Sequence, residues 1–411
     1  MNKHWKVKIF DEVISDSQIG IVRNNKSQSA ENTYRYFKMS NIRNNNGINE
    51  DSFTFVNASD DEVEKYKLVN NDFLFNTRNS YELVGKTCLY NSKYLKPTLF
   101  NNNILRVRFK PELIPQFVAY LFSTLKTLSE LDEIKSGTTN VIGIYYKSLK
   151  NIQIPIPPLQ EQKQIVAILN KAFTATDQAK ANIEKNIVNA KELFQSKLND
   201  IFSQKGDGWE EKELSSIGQV QTGTTPPTKD KSNYGPFIPF VKPPHFCKDG
   251  SINTGESMLS KKGLEKGRLF SANSVLMVCI GATIGKTGFS EIPVSSNQQI
   301  NALTPNENYI AKLLYYALIS PFVQNQVMSV GKSAQATLPI INKSKWLKLK
   351  VYLTADKKKQ SKIIKTLDEL KENCIKIESN YNKKLKDLDD LKKSILQKAF
   401  AGELTEKEVV V

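Results

Sequence analysis

Two stretches of this chain place glycine, proline, lysine and histidine in an order that could do chemistry. Gly281-Ala-Thr-Ile-Gly285-Lys286-Thr287 approaches a phosphate-cradling loop, in which a glycine-rich turn opens a helix and a lysine reaches the phosphates. Such a loop needs four residues between its glycines. Here there are three, and Ile280 stands where the earlier glycine would be. Gly288 and Pro293 follow too soon for the helix. The stretch reads instead as a tight turn that brings backbone and Lys286 close to a partner, phosphate being the natural one. Lys242-Pro-Pro-His245-Phe246 has the spacing of the Asn/Asp-Pro-Pro-aromatic motif with which amino-methyltransferases hold a base. A lysine ammonium offers donors only, so it cannot accept from an amino group. Gly206-Asp-Gly208 follows a helical pattern rather than a strand and is not a cofactor loop.

Catalytic and metal residues are otherwise scarce. His4 and His245 are the two histidines, too few for a histidine-based metal site or triad. The four cysteines, Cys88, Cys247, Cys279 and Cys374, form no C-x-x-C, which argues against a zinc ribbon or a disulfide framework. No catalytic residue, metal ligand or cofactor-binding residue is expected in this chain.

What remains is a chemistry of recognition. With 58 Lys+Arg against 42 Asp+Glu the net charge is +16, which favours a polyanionic partner, nucleic acid first and anionic membrane second. Richness in Lys, Asn and Ile, as from an AT-rich genome, raises the charge as well. Base edges are read by Arg, Lys, Asn, Gln, Ser and Thr, and phosphates by Lys, Arg and backbone N–H groups. In the first half the candidates are Lys38, Asn41, Arg43, Arg78, Asn79, Ser80, Thr139, Asn140, Tyr145 and Lys147. In the second half they are Thr222, Thr224, Lys242, His245, Thr283, Lys286, Asn297, Gln298, Gln335 and Lys343. Each could equally be an ordinary solvated loop residue. Arg78 lies just after a strand in a polar loop, where its guanidinium fork would match the O6/N7 acceptor pair of guanine. Tyr145-Tyr146 and Phe237/Phe240 read as core rather than as stacking platforms. Lys357-Lys358-Lys359 reads as the solvated start of a helix.

These residues must be positioned by a chain that says nearly the same thing twice. Trp5-Lys-Val-Lys-Ile-Phe10-Asp-Glu-Val13 returns as Trp209-Glu-Glu-Lys-Glu-Leu214-Ser-Ser-Ile217. Leu193-Phe-Gln-Ser196-Lys-Leu198 returns as Leu391-Lys-Lys-Ser394-Ile-Leu396, an offset of 198 residues that also pairs Gln162 with Gln360, Ile165 with Ile363 and Leu169 with Leu367. At 411 residues the chain allows two or three domains. Two copies are too few for a solenoid. They suggest one chain presenting two similar heads.

Each half begins as a mixed α/β head. Strands are expected at Asp72–Phe75, Lys86–Tyr90, Ile104–Phe109 and Ile152–Ile156, and at Leu347–Leu353 in the second copy. Helices are expected after Pro115 and over Tyr309–Ser320. A long helix follows each head, about 159–202 and 356–401. Apolar or small residues fall at 165, 169, 172, 176, 179, 183, 187, 190, 194 and 198 in the first, and at 367, 370, 374, 377, 381, 385, 388, 391 and 395 in the second. That is the spacing of a coiled-coil seam. Matching seams with a head between them predict an antiparallel pair, in preference to two unrelated surface helices or seams made with other subunits. No signal peptide and no run of ~20 apolar residues is present, so a soluble protein of a reducing compartment is expected.

The order of these parts resembles the DNA-specificity (S) subunit of type I restriction–modification systems. Ile154-Pro-Ile-Pro-Pro-Leu159-Gln-Glu-Gln162-Lys-Gln-Ile165 is similar to that family's strand-to-helix junction. Gly223-Thr-Thr-Pro226, Ile280–Gly288, Ser296-Asn-Gln-Gln299 and Ser333-Ala-Gln-Ala-Thr-Leu338 resemble segments of its target-recognition domains, as do Asp72–Phe75, Val84-Gly-Lys86 and Ser136-Gly-Thr-Thr139. The second junction, Thr354-Ala-Asp356, lacks the proline pair, which leaves its corner open.

The resemblance implies an α+β fold of two pseudo-repeated target-recognition domains, 1–158 and 206–354. Helical spacers at 159–205 and 355–405 would form an antiparallel coiled coil, followed by a tail at 406–411. It implies a subunit without chemistry of its own, each head reading one half of a bipartite site on double-stranded DNA. The helices would set the spacing and dock two modification (methyltransferase) subunits. S-adenosylmethionine would serve those partners, and ATP and Mg would serve restriction subunits (ATP-dependent translocase/nuclease). The implied place is the prokaryotic cytoplasm, at the nucleoid and not the membrane. The competing readings are a stand-alone coiled-coil DNA-binding or scaffold protein and a degenerate P-loop NTPase around Lys286.

Overall fold

The computed structural model describes residues 5–43, 47–138, 141–203, 208–247, 249–332 and 339–404. Thr139, Asn140, Gln335 and the segment 333–338 lie outside the described residues. Two compact units are present: Met1–Ala181 with Leu385–Val411, and Asn182–Lys384. Each holds one head and a part of both long helices.

In the first unit the tryptophan-led strand Lys6–Ile9 pairs antiparallel with the closing strand Gln153–Ile156. The main sheet has four antiparallel strands in the order Ile14–Ile19, Ile104–Phe109, Asp72–Asn76, Thr87–Tyr90. Asp72–Asn76 is buried at every residue, which is why its centre, Phe73-Leu74-Phe75, is apolar without alternation. A smaller sheet sets Tyr34–Phe37 between Thr54–Val56, antiparallel, and Thr98–Phe100, parallel.

The second unit repeats this plan. Glu210–Glu213 pairs with Lys350–Leu353, and the main sheet runs Gly218–Thr222, Ile300–Pro305, Ser274–Val278, Thr287–Ser290. Tyr234–Val241 pairs antiparallel with Met258–Leu259 and parallel with Ser295–Ser296. Gly20 and Gly223 occupy the same tight crossing in the two heads. A Cβ would come within 2.3 Å of the Asn101 carbonyl oxygen at Gly20, and within 2.1 Å of the Asn297 carbonyl oxygen at Gly223.

The long helices are Leu159–Phe202 and Lys357–Ala401. Within the first unit, Asp177 pairs with Lys392 and Lys180 with Asp389. Numbers rise on one helix as they fall on the other, so the helices are antiparallel. Within the second unit Lys191–Glu378 (2.8 Å) and Asn186–Tyr381 (3.3 Å) show the same sense. Each helix end is also part of a head's core. Leu396, Ala399 and Phe400 join the first unit's core, with Phe400 5.0 Å from Phe117 between ring centroids. Leu198 and Phe202 join the second unit's core.

The repeated glutamines explain how each helix leaves its head. Gln162 is fully buried. Its Oε1 accepts from the Ile114 N–H at 2.9 Å, and its Nε2 donates to the carbonyls of Glu112 and Pro157, both at 2.9 Å. Gln360 does the same with Ile310 N–H (2.7 Å) and the carbonyls of Asn308 (2.7 Å) and Thr354 (2.8 Å). The corner without prolines is thereby resolved. The Thr354 carbonyl replaces that of Pro157, and Asp356 Oδ1 accepts from the N–H groups of Lys358 (2.8 Å) and Lys359 (3.1 Å) as a helix cap.

Three expectations need correction. The closing strand expected from Leu347 begins at Lys350, because Asn342 caps a helical turn, Lys343–Leu347, that buries Trp346. The helix expected over Tyr309–Ser320 spans Ala311–Ile319. Ile377 and Leu391 are 39% and 46% exposed, off the expected seam. A helix of 3.6 residues per turn drifts from a strict 3.5-residue stripe.

Gln360→Leu should destabilise the protein by about 2–4 kcal/mol, because three backbone groups around a fully buried amide lose their partner. Urea unfolding followed by circular dichroism measures this. An unchanged midpoint would contradict the role given to the amide.

Candidate nucleic-acid interface

The expected readers divide into those that hold loops in place and those that face solvent. Lys38–Asn41 and Lys242–His245 form the same 3-10 turn at the end of equivalent strands. Asn41 Oδ1 accepts from the Lys38 N–H at 2.8 Å, and its Nδ2 donates to the Asn49 carbonyl at 3.0 Å. His245 Nδ1 accepts from the Lys242 N–H at 3.4 Å. The chain returns identically, with Asn49 N–H donating to the Asn41 carbonyl and Asn253 N–H to the His245 carbonyl, each at 2.8 Å. Asn41 and His245 are buried, and their side chains are engaged in bracing these turns. Lys38 and Lys242 remain half-exposed at the mouths. Asn297 also braces its own loop, accepting from the Gln299 N–H (3.2 Å) and donating to Gln299 Oε1 (2.9 Å). Thr222 Oγ1 bonds Asn301 at 2.7 Å. Gln298 is exposed and bonds Thr225, with Thr224 half-exposed beside them.

A hairpin carries the exposed Arg78 and Thr283 and the half-exposed Asn79, Ser80 and Lys286. In the first head it joins Asp72–Asn76 to Thr87–Tyr90, and in the second Ser274–Val278 to Thr287–Ser290. Gly85 (φ 88°) and Gly285 (φ 86°) make the left-handed step before Lys86 and Lys286. Lys286 leads into a strand, not a helix, so this turn is not a P-loop. Lys286 is half-exposed in a cleft of about 820 Å³ that also takes in Thr287, Tyr315 and Lys371, while Thr283 is exposed in the turn itself.

Arg78 and Asn79 form a short strand against Val141–Gly143, which pairs in turn with Ser136–Thr138. Arg78, Asn79, Ser80 and Tyr145 are thus brought together. A Cβ on Gly143 would meet the Tyr145 ring at 3.3 Å, so that ring lies beside the residue facing Arg78. Arg78 is exposed and has no ion pair among the described residues. Arg35, Arg106 and Arg108 are different: they bind Glu50 (2.5 Å), Asp16 (2.6 Å) and Asp72 (2.6 Å) within the head. Arg43 is exposed, 3.5 Å from Asp51. Lys147 and Lys343 are exposed on equivalent short helices, whose inner faces bury Leu149 and Trp346.

The aromatic expectation is half corrected. Tyr146 and Phe240 pack inward, but Tyr145 is 54% and Phe237 49% exposed. Two lysines escaped the sequence reading. Lys86 is drawn inward, and burial lowers its pKa. Lys371 lies 3.1 Å from Tyr315 Oη, and burial lowers its pKa too. The equivalence of Gly85-Lys86 with Gly285-Lys286 was a usable signal for the first, while nothing in a helical lysine distinguishes the second. Among the described residues no group of acidic, histidine or cysteine side chains is placed to hold a metal, and no helix is long and apolar enough to cross a membrane.

Comparison with known proteins places this geometry. The family model for the type I restriction modification DNA specificity domain matches twice, over residues 2–189 and 206–387. The chain is 30% identical over 203 residues to the HindI type I restriction enzyme specificity subunit of Haemophilus influenzae, covering 48% of this chain and 42% of that one. It is 24% identical over 351 residues to the EcoBI specificity subunit of Escherichia coli, covering 75% and 70%. Among solved structures, a chain from a study of complex assembly and conformational transition of the type I R-M system superposes with a TM-score of 0.76 at 19% identity, covering 98% of this chain and 99% of that one. The HsdS subunit of Thermoanaerobacter tengcongensis superposes at 0.60, also at 19% identity, covering 98% of each. The chain belongs to the type I restriction–modification DNA specificity family and carries its domain twice.

His245 gives a pH test of the turn. Burial holds its pKa below the usual imidazole value, with Glu256 opposing and Lys242 adding to the shift. The unfolded chain therefore takes up the proton first as pH falls. The stabilisation from neutral His245 is full above about 6.5 and is lost below it, down through the folded value. His245→Asn, which installs the bracing residue of the first head, should flatten this part of the stability profile. Thermal midpoints of wild type and variant from about pH 8 to about pH 5, a range that spans the unfolded imidazole value of about 6.5, measure it. Parallel profiles would contradict the assignment.

Proposed function

We propose that this chain is the non-catalytic sequence-reading subunit of a type I restriction–modification complex, each head reading one half of a bipartite DNA site. One observation carries the reading. The same bracing turn and the same hairpin occur in both heads, while the residue at one equivalent hairpin position differs, an exposed Arg78 in the first and a half-exposed Ile280 in the second. A repeated frame with different outward chemistry suits a reader of two different half-sites. Family membership supports the same conclusion.

In this reading Arg78 addresses guanine through its paired donors. Exposed lysines such as Lys147 and Lys343 contact phosphates and contribute a salt-dependent, sequence-tolerant share of affinity. The two long helices fix the separation of the half-sites and dock two modification subunits. Those subunits supply adenine methylation with S-adenosylmethionine. Restriction subunits add ATP- and Mg-dependent translocation and cleavage. The working compartment is the prokaryotic cytoplasm.

The helices provide the test. Four residues inserted between Ala179 and Ile183, with four matching residues between Lys386 and Asp390, add one turn, about 6 Å. The non-specific spacer should lengthen by about one to two base pairs, at roughly 3.4 Å per pair, with both half-sites unchanged. Mapping methylated adenines in cells carrying the variant and its modification subunit reads this directly. A methylated motif with the original spacer would contradict the ruler. Methylation by the purified chain alone would contradict its non-catalytic role.

A further inference from the structure

Arg78 and Ile280 stand at the same place in the two heads. Asn76 N–H donates to the Lys86 carbonyl at 2.8 Å, and Val278 N–H to the Lys286 carbonyl at 2.9 Å. One residue on, the Thr77 carbonyl accepts from Ile144 N–H and the Cys279 carbonyl from Ile341 N–H, each at 2.9 Å. The next residue is Arg78, paired with Gly143, or Ile280, bridged to Ile340. Directly opposed residues on paired strands project from one face.

That face has opposite chemistry in the two heads. The first shows an exposed guanidinium beside the Tyr145 ring, which occupies the space left by Gly143. The second shows two isoleucines, with Ile340 37% exposed. Around them stand exposed Thr283 and Lys343 and half-exposed Lys286, residues suited to a DNA backbone. An aliphatic pair offers no donor or acceptor. In the major groove the apolar group that distinguishes one base from the others is the 5-methyl of thymine.

We propose that Ile280, supported by Ile340, reads the 5-methyl group of a thymine in the second half-site, at the position where the first head presents Arg78. The proposal rests on the DNA-reading function proposed above and names the chemistry of one contact within it. Specificity here comes from contact with the methyl and from the cost of burying a polar base edge against isoleucine.

The test uses the chain assembled with its modification subunits, bound to synthetic duplexes carrying the cognate site. Each thymine of the second half-site is replaced in turn by deoxyuridine, which lacks only the methyl. One replacement should weaken binding about fourfold, the worth of one buried methyl group. Such duplexes contain no 5-methylcytosine, so the loss identifies thymine as the source of the methyl. In Ile280→Ala and in Ile340→Ala that loss should shrink or vanish, while discrimination at other positions persists. No uridine effect in the second half-site, an effect undiminished in both variants, or a second half-site without an A·T pair would overturn the inference while leaving sequence-specific recognition intact. Absence of any sequence preference in the wild-type complex would overturn the recognition reading, and the inference with it.

Discussion

A single buried amide in each unit fixes the direction in which a long helix leaves its head. Gln162 and Gln360 each satisfy one N–H and two carbonyls drawn from the head and from the corner before the helix. No other uncharged side chain than Gln or Asn offers two donors and an acceptor, and the longer one is used here. The interaction is costly to break because the amide is fully buried and its three backbone partners are buried or part-buried with it. Its leverage is mechanical. Over a helix of 44 residues, roughly 66 Å at 1.5 Å per residue, a few degrees of tilt at the root moves the far end by several ångströms. The proposed reading of two separated half-sites needs that angle fixed.

The same economy separates frame from reader within each head. Asn41, His245 and Asn297 turn inward and brace loops; Gly85 and Gly285 permit the hairpin's left-handed step. Arg35, Arg106 and Arg108 are likewise held in internal ion pairs. The residues left facing outward on the hairpin are free to vary without disturbing the fold. An arginine in one head and an isoleucine in the other can therefore stand on one backbone frame, and a change of base preference need not cost stability.

How much of this could be read in the sequence follows from which forces act locally. The first long helix agrees at both ends with its expected bounds, and the second nearly so, because a sustained 3–4 spacing has no strand alternative. Ile104–Phe109 was likewise visible as a strand. Leu347–Leu353 misled because Leu-Lys-Leu-Lys alternates; the Asn342 cap was the competing signal. Gln162 and Gln360 were visible as a repeat, but two of the three partners of each lie about 50 residues away along the chain, and all are backbone groups, which sequence does not mark. Polar loop residues were legible as a set. Whether each points inward, as Asn41 does, or outward, as Arg78 does, depends on packing. Tyr145 and Phe237 erred the other way, because an aromatic ring suggests core. Ile280 stood out in the sequence only as a missing glycine, and its equivalence to Arg78 emerges from the hydrogen-bond ladder.

The central claim is that the two heads read DNA independently through one shared frame. Exchanging residues 209–354 for the second head of a relative with a different site tests it most directly, with methylated adenines mapped across the host genome before and after. Independent heads predict that one half of the methylated motif changes to the relative's sequence while the other half is retained. A change in both halves, or in neither, would contradict the claim.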